Sequence, residues 1–338
     1  MQTYAAIDLH SNNGVLTIID ETDRVLKQRR IANKLEEFIK ELEPFRATLQ
    51  GVAVESTFNW YWLVDGLQAK KFPVTLVNTS AIQQYEGLKR SDDDYDAWWL
   101  AHMMRLGILP KGYIYPRENR AVRDLLRKRA ALVRQRTANI LSVQNLEARN
   151  RGTKISSNEA KRLTGARVAE LYGKGDLALA LTTTIAVIDS LTEQTRLIES
   201  AVLKKARLRP EWEPITSVWG VGKILGLTIM YEAGDMSRFS SPGDFASYCR
   251  CVNAQRFSNG KKKGENNAKN GNRYLAWAFV EAAHFAVRFY PEAKRFHDRK
   301  AAKTNGVVAI KALAHKLARA AFHVLRDQQP FDPKRVFV

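Results

Sequence analysis

Four carboxylates stand where they could share a metal. Asp8 closes the apolar run Thr3–Asp8, and Glu55 closes the apolar run Gly51–Glu55. Each therefore ends a buried strand, at the rim where open α/β sheets hold ligands. Asp93 and Asp96, in Ser91–Leu100, stand three residues apart at the start of a helix and so share one face. Carboxylates converging on one edge repel one another unless cations bind, and all-oxygen ligands select hard ions such as Mg²⁺ (or Mn²⁺). Two such ions about 4 Å apart could stabilise both the attacking and the leaving oxygen of a phosphodiester. The competing reading of Asp92 and Asp94 is a helix N-terminal charge cluster favoured by the dipole. His10 reads as a turn residue, and Trp60, Trp62, Trp98 and Trp99 read as core.

A second stretch, Arg256–Trp277, carries Ser258, then Lys261, Lys262 and Lys263, then Lys269 and Arg273. Gly260, Gly264 and Gly271 punctuate it, which predicts a loop whose lysines and backbone amides suit phosphate. A helix follows from about Asn272. Upstream, Gly220-Val221-Gly222 resembles the turn of a helix–hairpin–helix element, in which backbone amides at a helix N-terminus meet phosphate. Between these regions, Arg120–Arg149 has an unbroken helical pattern without Pro or Gly. Val122, Leu125, Leu126, Leu132, Val133, Ile140 and Val143 mark one face, and cations including Arg123 and Arg127 load the rest, which points to nucleic-acid backbone contact, with packing on a partner helix as the competing reading.

The elements that must position these groups follow from hydrophobic period. Strands are predicted at Thr3–Asp8, Gly14–Asp20, Val25–Ile31, Gly51–Glu55 and Val74–Asn78, with helices at Leu35–Leu42, Trp60–Ala69 and Ala81–Leu88. Three strands followed by alternating helix and strand suggest the mixed sheet of ribonuclease-H-like folds. Thr184–Arg207 forms a second long helix whose seam suggests a coiled coil or helical hairpin, with a possible dimer contact. Val307–Leu325 is amphipathic. The expected fold is α/β plus α: a ribonuclease-H-like catalytic domain at 1–118 (RuvC-like, by the family resemblance given below), a basic helical or coiled-coil arm at 119–208, and a mostly helical C-terminal domain at 209–338.

Charge is divided along the chain. The first 117 residues hold 14 Lys and Arg against 15 Asp and Glu, and the remainder holds 40 against 20, for a net charge of +19 over 338 residues. A polyanion held by the C-terminal two-thirds is the consequence. No segment is apolar enough to span a bilayer, and the start lacks a signal peptide's pattern. Cys249 and Cys251, two apart, suit neither a zinc knuckle nor a disulfide and read as reduced thiols. A cytoplasmic, nucleoid-associated protein is expected.

On Ile7-Asp8-Leu9-His10, Val54-Glu55-Ser56-Thr57, Asp93-x-x-Asp96, Gly220-Val221-Gly222, and Ser258-Asn259-Gly260-Lys261 with Gly271–Trp277, the chain resembles the DEDD transposases of bacterial insertion sequences. The family is the one numbered "one-ten", closest in its "eleven-eleven" branch. The resemblance implies a recombinase that cuts and rejoins double-stranded donor and target DNA to move its own element. It also implies guidance by a structured non-coding RNA encoded in the element (bridge or seeker RNA). Asp8, Glu55, Asp93 and Asp96 would be metal ligands, and Ser258 would be the nucleophile, supplied across a homo-oligomer such as a dimer or tetramer. The first alternative is a RuvC-like structure-specific DNA nuclease that uses the same acids with water as nucleophile. An actin-like ATPase lacks its second phosphate loop here, and an RNA-binding protein with structural acids would never cut DNA.

Overall fold

The computed structural model describes residues 1–82, 92–252, 256–264 and 270–337. The chain divides into two compact units, Met1–Ile114 and Tyr115–Val338. The first holds strands β1 (Thr3–Leu9), β2 (Asn13–Asp20) and β3 (Val25–Ala32), helix α1 (Leu35–Leu42), β4 (Leu49–Glu55), α2 (Tyr61–Ala69), β5 (Val74–Val77) and α3 (Asp93–Arg105). The sheet order is β3-β2-β1-β4-β5. The first three strands run antiparallel, β4 pairs parallel with β1, and β5 pairs parallel with β4. This is the mixed, ribonuclease-H-like sheet that the order of elements implied.

Strand period decides which side chains meet which helix. Ala5, Ile7 and Leu9 join Val52 and Val54 on one face, where Phe38, Leu42, Leu63 and Leu67 of α1 and α2 cover them. Ala6 and Ala53 point the other way, onto Leu100, Ala101 and Met103 of α3. Asp8 and Glu55 follow the second set, so both carboxylates are directed to the α3 side. Gly51 shares that face and permits close approach: a Cβ there would stand 2.8 Å from Met104 Sδ.

Hydrogen bonds pin α3 at both ends. Near its start, Gln28 Nε2 donates to the Asp94 carbonyl at 2.8 Å. Near its end, Arg105 grips both oxygens of Asp23 at 2.6 and 2.5 Å, and His102 Nδ1 lies 2.8 Å from the same carboxylate. Those interactions drive Asp23 below the usual carboxylate range against the opposing effect of burial. Of the helix expected at Ala81–Leu88, only the start falls within the described residues, where Thr79–Ala81 forms a 3₁₀ turn.

The second unit opens with α4 (Arg117–Arg151), followed by α5 (Ser157–Arg162), α6 (Gly165–Tyr172) and α7 (Asp176–Ala206). Val122 and Leu126 pack with Val202 and Ala206, whereas Ile140 and Val143 pack with Leu181 and Ile185, so α4 and α7 form an antiparallel hairpin. Ala160 and Val168 of the two short helices close its far end. Ile188 and Thr195 on α7 are buried as well. The rest comprises α8 (Trp212–Thr216), α9 (Lys223–Ala233), α10 (Pro242–Tyr248), a hairpin of β6 (Arg256–Ser258) and β7 (Lys261–Gly264), α11 (Arg273–Phe289), α12 (Pro291–Lys303) and α13 (Gly306–Asp327). Its core is built on α9, α11 and α13. Among the described residues no helix is long and apolar enough to cross a membrane.

The stretch expected as a loop after Arg256 is in fact this two-stranded hairpin. Asn259 and Gly260 form its turn with φ of 50° and 70°. Asn-Gly is the pair that adopts left-handed angles most readily in a tight hairpin turn, so the residues that signalled irregular chain specify a strand reversal.

Candidate active site

The parallel register sets Ile7 opposite Val54, which brings Asp8 and Glu55 to the same end of adjacent strands. A cleft of about 320 Å³ opens there, lined by Asp8, Glu55, Asp96, Thr79, Ile82, Trp99 and Leu100. Asp8 is buried, with 6% of its surface exposed. Burial, a hydrogen bond with Asp8 and the charges of Asp8 and Asp96 push the Glu55 carboxyl up to about 8. At neutral pH, a proton on Glu55 relieves the repulsion that a bound cation would otherwise balance.

Asp93 reaches the cluster through another neighbour. His10 Nε2 lies 3.3 Å from Asp8 Oδ2 and 3.3 Å from Asp93 Oδ2. One ligand atom from each of the three residues falls within 4.8 Å of the others. On the far side, Arg30 Nη2 donates to Asp93 Oδ2 at 2.7 Å while its Nη1 donates to Asn13 Oδ1 at 2.9 Å. This guanidinium, with His10, holds Asp93 below the usual carboxylate range although burial opposes it. Asp92 serves the helix and not the cluster, since its side chain accepts from Tyr95 N at 2.9 Å and caps α3.

The donor set fits a divalent cation. His10 Nε2 is buried and makes no hydrogen bond among the described residues, although two carboxylates flank it. A cation held by Asp8, His10 and Asp93 would satisfy that nitrogen and both oxygens together. His10 is the residue that the sequence reading passed over as a turn. Its backbone does make the turn, donating to the Asn13 carbonyl at 2.8 Å. The overlooked signal was Asp-x-His at a strand end, where residues two apart share a face.

The candidate nucleic-acid contacts fall into different settings. Lys261, Lys262 and Lys263 are exposed on β7, and Lys269 lies outside the described residues. Arg273 opens α11, where its Nη2 donates to the Tyr274 hydroxyl at 3.1 Å. Arg123 is buried, with its guanidinium 3.8 Å from the centre of the Tyr115 ring. Arg127 makes two hydrogen bonds, at 2.7 and 2.8 Å, to buried Glu232 on α9. Gly220, with φ of 79°, packs directly on α11, where a Cβ would meet the Ala282 carbonyl oxygen at 2.0 Å. Gly222 caps α9 with open space around it.

These positions correct the reading of the chain as a recombinase with Ser258 as nucleophile. The Asp8–His10–Asp93 cluster is an acid site that could hold a metal ion, assembled from the first unit alone, and it supports attack by water. Ser258 lies in the second unit, exposed at the end of β6 beside the Asn259-Gly260 turn. Among the described residues no base hydrogen-bonds its hydroxyl, and a serine hydroxyl without a base is a weak nucleophile.

No curated protein matches the chain. Two transposase families do, over separate segments. Residues 213–298 match the transposase IS116/IS110/IS902 family, and residues 5–146, which include all four acids and His10, match the IS110-type DEDD transposases. The sheet, the order of its acids and these two matches agree: residues 5–146 are similar to the DEDD transposase domain of the IS110 family and carry a RuvC-like acid site, which marks the chain as an enzyme.

Proposed function

We propose that the chain is a metal-dependent enzyme that cleaves DNA strands during transposition, with water as the nucleophile. The observation that carries this reading is His10 Nε2, a buried atom without a hydrogen bond that lies 3.3 Å from both Asp8 and Asp93. Asp8, His10 and Asp93 would hold a divalent cation, Mg²⁺ or Mn²⁺, with Glu55 and Asp96 beside it; when bound, the ion would polarise the phosphate and make water a stronger nucleophile. Arg30 keeps Asp93 ionised for that duty. Glu55 keeps its proton at neutral pH while no cation is bound; once an ion balances the acids, its carboxylate would join the ion's surroundings. Double-stranded DNA, donor and target, is the substrate in this reading. A structured guide RNA belongs to it as a further partner, supported by the excess of cations after residue 117, and a homo-oligomer is part of the same reading.

Titrating Mn²⁺ into the full chain and following its electron paramagnetic resonance tests the site. Wild type should bind Mn²⁺, and Asp8→Asn and His10→Ala should each weaken binding by more than the roughly 10–100-fold that changes behind the ligands cost. Equal binding by all three chains would remove the metal from this cluster.

A further inference from the structure

A cavity of about 780 Å³ lies in the second unit between α12, α13 and the C-terminal tail. That size is in the range of small-ligand clefts. One wall is a single stripe of α13: His315, Lys316, Arg319, Ala320, His323 and Val324 recur every three or four residues. The opposite stripe, Ile310, Leu313, Leu317 and Ala321, is core. Phe296 and Lys300, one turn apart on α12, form a second wall, and Phe331 and Val336 of the tail form the third. The tail is held in place. Phe331 N donates to Ser217 Oγ at 2.8 Å, Phe337 stacks on Trp219 at 5.1 Å, and Lys316 Nζ donates to the Val336 carbonyl.

The charged groups of this cavity are only partly matched. Of the acids in its lining, Asp327 pairs with Arg326 at 2.7 Å and lies 3.9 Å from His323 Nδ1, and Asp332 accepts from Lys334 N at 3.0 Å and lies 3.4 Å from Arg335 Nε. Among the described residues no carboxylate pairs with Lys300, His315 or Arg319. Burial, and then the nearby charge of Arg319, hold both His315 and Lys316 below their ordinary values. Cations crowded against one another beside an aromatic wall need a ligand with an anionic end and a flat apolar end. Phe296 and Phe331 each meet one ring of the chain, Phe337 at 6.3 Å and Trp219 at 5.6 Å, and a bare phosphate would make no use of the ring surface that they turn to the cavity.

We propose that this cavity takes one unstacked nucleotide of a nucleic-acid strand, with its base against Phe296 and Phe331 and its phosphate on Lys300, His315 and Arg319. The inference rests on the reading of the chain as a nucleic-acid enzyme. Its test is kept apart from cleavage by working in a metal chelator, where no strand is cut. Full-length protein is titrated with a single-stranded thymidine oligonucleotide and with an abasic strand of the same length and charge. Wild type should bind the thymidine strand about tenfold more tightly, the scale of one stacked base. Phe296→Ala should erase that preference and leave abasic binding unchanged. Arg319→Ala, at an exposed position where folding is not at risk, should weaken both strands and reduce the salt slope of binding by about 0.7, the share of one phosphate. Equal affinity of wild type for the two strands would overturn the proposal. So would a melting temperature raised by free thymidine monophosphate without any base preference in the strand, which would place a soluble nucleotide in the cavity instead.

Discussion

Asp8 and Glu232 are both buried carboxylates, but their surroundings differ. Glu232 on α9 is fully matched: Arg127 takes both of its oxygens, and Asn272 Nδ2 donates to it at 2.7 Å. Asp8 faces other acids, Glu55 and Asp96, and a histidine nitrogen without a hydrogen bond. A buried charge with its partners in place acts as a strut. A buried charge among like charges is tolerated only where a proton or a cation completes the balance. The difference separates framework from chemistry within one chain, and it does so without reference to residue type.

Substitutions at the two places should therefore fail differently. The largest effect is expected from Asp8→Asn, which should reduce cleavage by more than the roughly 100-fold typical of second-layer changes at metal sites while leaving the fold intact. Unchanged cleavage would move the chemistry elsewhere. Arg127→Ala should do the reverse, destabilising the second unit by about 3 kcal/mol because Glu232 loses its charge partner. A chemical-denaturation midpoint equal to wild type would show that the pair is not a strut. Arg30→Gln sits between the two. It removes the cation that keeps Asp93 ionised, and should cost about tenfold in Mn²⁺ affinity, more on the acidic side of neutrality.

Glu55 gives the comparison a pH dependence. In the folded chain it keeps its proton up to about pH 8, against an ordinary value of 4.5. Between those values the folded state binds the extra proton. The stability linked to Glu55 is thus whole below 4.5 and is lost as pH rises towards 8. In metal-free buffer the Tm should fall across this window, and Glu55→Gln should flatten the fall. Added Mn²⁺ should raise the Tm more at the alkaline end, where the acids are unprotonated. A Tm that rises through the window in metal-free wild type would contradict the placement of the proton.

Much of the acid edge was legible in the sequence because strand ends and helix starts are local. Asp8 and Glu55 close apolar runs, and the i, i+3 spacing of Asp93 and Asp96 lies within a single helix. His10 was missed because its turn role and its side-chain direction are separate facts, and only the fold reveals the second. Arg123 and Arg127 were less legible still. A helix dense in arginine looks alike whether its guanidinium groups meet phosphate or a buried Glu232 from a stretch of chain more than a hundred residues away. Gly220 looked suited to phosphate and proved to be a packing contact, since close approach to Ala282 leaves no room for a Cβ. The hairpin at Arg256–Gly264 was present in its Asn-Gly pair, but a run of glycine and lysine masked the turn signal.

The most direct test follows the oxygen. Full-length protein, Mg²⁺ and branched DNA are incubated in ¹⁸O-labelled water, and the products are analysed by mass spectrometry and on a denaturing gel, for wild type and for Ser258→Ala. Attack by water predicts one labelled oxygen on each new terminal phosphate, no protein-bound DNA, and the same rate in Ser258→Ala. A covalent protein–DNA band that disappears in Ser258→Ala would contradict it and return the nucleophile to the second unit.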